Sequence, residues 1–179
     1  MTGRIIVLTG PPGAGKSTIA RSLAATFDRA VHLHTDDFWR CIVSGGIPAF
    51  LPEASEQNHT VLDVIASAAC TFAGGGFVVV VDGIVGPWML HHFETARAIH
   101  GHPPCHYIVL RPARSVALER AQRRNDPHAL VDEAPVLSMW DQFGELGEYE
   151  RFVIDTTEQQ PADTLGAVRV ALSSGRYQL

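Results

Sequence analysis

The chain has 179 residues, 46% of them hydrophobic and 18% charged, with a formal net charge of −5. That is the profile of an ordinary globular protein, long enough to bury a core in a single domain spanning 1–179. The negative balance argues against a broad polyanion-binding surface and so against a nucleic-acid partner, and it favours a small substrate. With no apolar run near membrane-span length, no signal-peptide start and three widely spaced cysteines, the expectation is a cytoplasmic monomer or homodimer without disulfides, zinc fingers or a membrane contact.

The first element is Arg4 to Thr9, a short β-branched run of the kind that forms a buried parallel strand. It leads into Gly10-Pro11-Pro12-Gly13-Ala14-Gly15-Lys16-Ser17, which fits G-x-x-x-x-G-K-[ST] at every fixed position. Such a loop cradles phosphates: glycines let backbone N–H groups converge on the anion, the lysine reaches the β- and γ-phosphates, and the serine hydroxyl ligates Mg²⁺. Gly10, Pro12, Gly13, Ala14, Gly15, Lys16, Ser17 and Thr18 are therefore the expected nucleotide contacts. A side chain at Gly13 or Gly15 is expected to obstruct the phosphates, and Lys16 is expected to be an exposed loop lysine. Ser17 to Ala25 follows as a helix with Ile19, Ala20, Leu23 and Ala24 on one stripe.

Ala30 to His34 reads as a second strand, followed by Thr35-Asp36-Asp37 and a helical stretch from Phe38 to Ser44. Carboxylates at that strand end are placed to meet a substrate hydroxyl, so one of Asp36 and Asp37 is a candidate catalytic base; the other reading is a helix N-cap. Residues 45–56, rich in Gly and Pro, read as a loop over an acceptor site, and Asn58 to Phe72 as a helix ended by Gly74-Gly75-Gly76.

Phe77 to Asp82 is the clearest buried strand, and its terminal Asp82 fits a Walker-B acid that holds Mg²⁺, with a strand-end turn former as the other reading. Gly83 to Trp88 is a second candidate acceptor wall, and Leu90 to Ile99 a helix. His100 to His106 reads as a polar turn at the opposite sheet edge rather than a metal set. His106 to Arg111 is the fourth strand. Ser115 to Arg124 is a helix whose terminal arginines either neutralise nucleotide phosphates or complement the helix dipole, and Asn125 to Val131 is a candidate lid within a lid region of about 120–135. Residues 132–146 are weakly helical, with Trp140 a packing residue. Phe152 to Asp155 is a fifth strand and Ala162 to Leu172 a closing helix. Strands alternating with helices predict a three-layer α/β/α P-loop NTPase domain with a five-stranded parallel sheet.

In this order, the phosphate loop, the Asp after the second strand, the apolar strand ending in Asp82, Leu118-Glu119-Arg120-Ala121-Gln122-Arg123-Arg124 and Val153-Ile154-Asp155-Thr156-Thr157 resemble the small P-loop kinases and phosphotransferases. That group includes chloramphenicol phosphotransferase, gluconate-kinase-like proteins, zeta-type toxins and the kinase domain of polynucleotide kinase. The resemblance spans nearly the whole chain and implies a nucleoside-kinase-like fold and an ATP- and Mg²⁺-dependent kinase. In that light Asp36 is the base with Asp37 as the alternative, Arg120 lies near adenine, Arg123 or Arg124 reaches the phosphates, and Asp37, Arg40, Asp82 and Trp88 are substrate-side candidates. Arg40 stands four residues after Asp36, where polynucleotide kinases place the arginine three residues on, which weakens that particular reading. A switch GTPase is excluded by the missing Asn-Lys-x-Asp motif. A regulatory ATPase and a zeta-type toxin kinase remain as alternatives.

Overall fold

The computed structural model describes residues 3–124 and 130–179. Five strands, β1 (Arg4–Thr9), β2 (Ala30–His34), β3 (Val78–Asp82), β4 (Cys105–Arg111) and β5 (Val153–Asp155), form a parallel sheet in the order β2-β3-β1-β4-β5. The described helices are α1 (Lys16–Ala24), α2 (Thr35–Arg40), α3 (Ser55–Gly74), α4 (Leu90–Ile99), α5 (Arg114–Gln122), α6 (Glu133–Asp141) and α7 (Pro161–Ser173).

The sheet is covered on both faces, which is why β1 and β3 carry the unbroken apolar runs Ile5 to Leu8 and Val78 to Val81 rather than alternating ones. Ile5, Val7, Val79, Val81, Tyr107 and Val109 pack against α3 and α4. Ile6, Leu8, Val80, Ile108 and Leu110 pack against α1 and α7. The period-2 alternation of β1 thus feeds two separate cores, and the architecture is the expected α/β/α P-loop NTPase fold.

Several boundaries differ from the sequence reading. Helix α2 begins at Thr35, so Asp36 and Asp37 lie in its first turn, where acids meet the positive end of the helix, and neither is the N-cap, a position held by His34. Helix α3 starts at Ser55 because a 3₁₀ turn, Pro52–Ala54, already fixes the backbone before it. Helix α5 ends at Gln122, which leaves Arg123 and Arg124 in the segment that follows. Only Glu133–Asp141 of 132–146 is helical, and Gly147–Phe152 forms a 3₁₀ turn leading into β5. The expected lid falls largely on residues 125–129, outside the described residues.

One feature has no counterpart in the sequence reading. Leu179 N–H donates to Cys105 O at 2.9 Å and Tyr107 N–H to Tyr177 O at 2.9 Å, with His106 and Gln178 in an antiparallel bridge. The three-residue β5 pairs with β4 at Val109 to Arg111, and the C-terminal tail takes up the lower end of the same strand.

Candidate active site

The phosphate loop joins β1 to α1 along the C-terminal edge of the sheet. Gly10, Gly13 and Gly15 all have positive φ, at 143°, 77° and 84°. They need it for different reasons. A Cβ on Gly13 would stand 2.0 Å from the carbonyl oxygen of Ala117 in α5, and one on Gly10 would stand 2.0 Å from that of Leu110. The expected obstruction at Gly13 is therefore with the protein's own backbone, and only at Gly15, which faces open space, would a methyl project from the loop without meeting the protein.

Lys16 is not the exposed loop residue that was expected. It is half-buried, opens α1, and its Nζ donates to Pro11 O at 3.0 Å. Burial pushes its pKa down to about 8, against the opposing pull of Asp82 and Asp36 and with the help of Arg124. Those three charges come from the end of β3, from α2 and from the segment after α5, and each is felt at the Lys16 ammonium.

Parallel pairing sets Asp82 beside Leu8 and His34 in the strand register, one residue before the loop turns. Its side chain is 1% exposed. Burial drives its carboxyl upward, but His32, Lys16, the Ser17 hydroxyl and His34 together outweigh that and hold it below the usual range. His32 Nε2 stands 3.2 Å from Asp82 Oδ2, whereas Asp82 Oδ1 is buried with no hydrogen-bond partner among the described residues. A buried, ionised oxygen without a partner next to a serine hydroxyl is the donor set a small hard cation requires, so these residues fit Mg²⁺.

His34 links the acids. Its Nε2 is 4.0 Å from Asp36 and 3.8 Å from Asp82, and its Nδ1 is 3.8 Å from Asp37. Neither His32 nor His34 was singled out in the sequence; two histidines alternating in a strand that ends in acids were the available signal. Asp36 is exposed. Asp37 pairs with Arg40 at 2.8 Å on the surface of α2, so the arginine expected on the substrate side is held by the second acid. The start of α2 touches the loop after β3, since the room a Cβ on Gly83 would take is filled by Thr35 Oγ1 at 2.0 Å.

The loop after β3 is pinned by two buried bonds: Val85 N–H donates to Thr9 Oγ1 at 2.9 Å, and Tyr107 Oη donates to Val85 O at 2.8 Å. Trp88, 45% exposed, lies over Gly86 and 5.8 Å from the Phe143 ring. Trp39 Nε1 donates to Asn58 Oδ1, whose amide in turn donates to Ala49 O, tying the acceptor-side loop to α3. Trp140 is the packing residue expected, its Nε1 bound to Pro112 O at 2.9 Å.

The arginines separate by partner. Arg120 donates to the carbonyls of Thr156, Thr157 and Gln159, edge contacts that fix the guanidinium over the loop after β5. Arg123 pairs with Glu119 at 2.6 Å on the exposed side of the helix. Arg124 is the one whose charge acts on Lys16.

With this geometry in place, comparison with known proteins is informative. The AAA domain family matches residues 5–146. The chain belongs to the AAA domain family. No curated protein matches it in sequence. In fold this AAA domain is similar to the tunicamycin resistance protein of Deinococcus radiodurans, at 18% identity, TM-score 0.68 and 95% coverage of each chain. It is similar also to a gluconokinase from Sinorhizobium meliloti 1021, at 19% identity and TM-score 0.69, covering 97% of this chain and 93% of that one. Shikimate kinase from Acinetobacter baumannii, in complex with shikimate, aligns at 20% identity and TM-score 0.65, over 97% and 95% of the two chains. The resemblance to small P-loop kinases read from the motifs is thus matched at the level of the fold.

Proposed function

We propose that this AAA domain is an ATP-dependent phosphotransferase that moves the γ-phosphoryl group of ATP to a hydroxyl of a small acceptor, with Mg²⁺ as its metal. The observation that carries this reading is the convergence of Asp82, Asp36 and Arg124 on Lys16. A phosphate loop alone binds nucleotide; a base and a further cation beside it are what phosphoryl transfer adds. The fold shared with a gluconokinase and a shikimate kinase supports an acceptor of that size.

In this reading the loop N–H groups from Gly10 to Thr18 hold the phosphate chain, and Lys16 leaves the Pro11 carbonyl to hold the β- and γ-phosphates. Ser17 and Asp82 hold the metal, which when bound would neutralise the charge shared by those phosphates. His32 keeps Asp82 oriented from the opposite oxygen. Asp36 accepts the acceptor's hydroxyl proton as its oxygen attacks the γ-phosphorus, and ADP leaves with the bond electrons. Arg124 neutralises the equatorial oxygens of the transferring group, and Arg120 lies near adenine. Arg40, Asp37 and Trp88 border the acceptor, and the net charge of −5 favours a small molecule over nucleic acid.

The test is ADP release by the purified protein with Mg²⁺ and ATP against panels of sugars, sugar acids, antibiotics and nucleosides. An acceptor-dependent rate lost in Asp36→Asn supports the assignment. ATP binding with no acceptor-stimulated turnover across the panels would favour the regulatory ATPase.

A further inference from the structure

Helices α3 and α4 pack against each other on one face of the sheet, and at their N-terminal ends they bring three imidazoles together. His59 lies in the second turn of α3, and His91 and His92 in the first turn of α4. One ring nitrogen from each lies within 4.8 Å of the other two. The ring centroids are 4.0 Å apart for His91 and His92, 5.0 Å for His59 and His92, and 5.7 Å for His59 and His91. None of these residues belongs to the phosphate loop, β2 or the end of β3.

The outer contacts determine which nitrogens are free. His92 is buried, and its Nδ1 lies 2.6 Å from Asp63 Oδ1. A carboxylate only accepts, so Nδ1 carries the proton and Nε2 presents its lone pair. His91 Nδ1 lies 3.1 Å from Trp88 O, another pure acceptor, which again leaves Nε2 with the lone pair. Orienting bonds of this kind, one carboxylate and one backbone carbonyl, are those that fix metal-ligating histidines. His59 Nδ1 stands 2.8 Å from His92 Nε2. Without a metal the former donates to the latter; moving the His59 proton to its Nε2 turns the same contact into two converging lone pairs.

The spacing fits. Two imidazole nitrogens at metal distances of about 2.0–2.1 Å in a tetrahedral shell lie about 3.3 Å apart. His59 Nδ1 and His92 Nε2, 2.8 Å apart, lie just inside that value, and one ring nitrogen of His91 lies within 4.8 Å of both residues' ligand atoms. His59 and His91 are exposed, so rotations that close the shell meet little packing, while His92 is the fixed point.

We propose that His59, His91 and His92 form a binding site for a divalent transition-metal ion, held by three neutral imidazoles with the fourth position open to solvent. The all-nitrogen donor set selects a borderline ion such as Zn²⁺ over Mg²⁺ or Ca²⁺, which take oxygen ligands. The ion clamps the start of α3 to the start of α4 beside the Trp88 loop. It is separate from the Mg²⁺ site at Ser17 and Asp82 and does not depend on the proposed phosphotransfer.

Calorimetric titration of the full chain, stripped with chelator, with ZnSO₄ tests this, together with Co²⁺ absorption to read coordination. One saturable Zn²⁺ site per chain is expected, with visible bands of low-coordinate Co²⁺. His59→Ala and His91→Ala, both at exposed positions and checked for folding by circular dichroism, should weaken it at least about 100-fold, and Asp63→Asn about 10- to 100-fold. Asp82→Asn should leave it unchanged. Absence of saturable binding, or binding that survives both histidine variants, overturns the proposal.

Discussion

Lys16 Nζ donates to the carbonyl of Pro11, 3.0 Å away within its own loop, so the free protein holds the phosphate-seeking ammonium against the cradle it is meant to serve. Burial lowers its pKa to about 8. A bound polyphosphate raises that value, so binding must pull a proton onto Lys16 at pH above about 8. Calorimetry at pH 8.5 in buffers of different ionisation enthalpy should show net proton uptake on ATP binding, and affinity should fall as pH rises through 8. Affinity flat from pH 7 to 9.5 would contradict the buried lysine.

The same burial gives Lys16 a stability cost. Its folded pKa lies below the unfolded 10.5, so between about 8 and 10.5 the unfolded state binds more protons and stability rises with pH; below 8 the full penalty is present. Lys16→Met should therefore abolish ATP binding yet stabilise the free protein at pH 7 by about 1–3 kcal/mol, after allowing for the lost bond to Pro11. Denaturant titration at pH 7 and pH 10 should show that gain shrinking at the higher pH.

Gly13 and Gly15 should separate folding from binding. Gly13→Ala drives a methyl into the Ala117 carbonyl at a positive φ, a loss of about 3 kcal/mol or more. Gly15→Ala meets nothing within 4 Å and should cost only the left-handed strain, about 1–2 kcal/mol, while sharply weakening ATP binding. Thermal melts and nucleotide titrations on the two variants read the contrast directly.

For the two acids, Asp36→Asn should lower turnover by about 10²- to 10⁴-fold with ATP affinity nearly unchanged. Asp37→Asn removes an exposed pair with Arg40 and a 3.8 Å approach to His34, together worth up to about 1 kcal/mol, with a correspondingly small kinetic loss. If Asp37→Asn is the more damaging variant in steady-state assays, the base is Asp37.

Arg124→Ala should depress kcat strongly, because its charge reaches Lys16, whereas Arg123→Ala loses a surface contact with Glu119. Equal effects in single-turnover assays would mean that both arginines reach the phosphates.

The fold was readable because its signals are local. Val78 to Val81 and Ile5 to Leu8 are apolar without a break, and the glycine-rich loop lies directly between a strand and a helix. What escaped the sequence depends on contacts between distant segments. Lys16 feels charges from Asp82, Asp36 and Arg124, which stand far from it in sequence. The tail at Tyr177 to Leu179 has no strand-like run of its own and is ordered by the free lower end of β4. His59 stands far from His91 and His92 in sequence, and no spacing rule joins them; the eye is drawn instead to His100, His102 and His106, where His102 sits in a turn at φ 54° and His106 is buried in β4.

Thr35 occupying the space of a missing Cβ at Gly83 has a consequence for redesign. The segment that carries Asp36 and the segment that follows Asp82 are fitted to each other like tooth and notch, so acceptor preference cannot be transplanted from a relative by exchanging one of them. A chimera carrying a foreign loop at 83–88 with any side chain in the first position would push Thr35 outward and carry Asp36 with it, and only a paired exchange of both segments would preserve the reacting geometry.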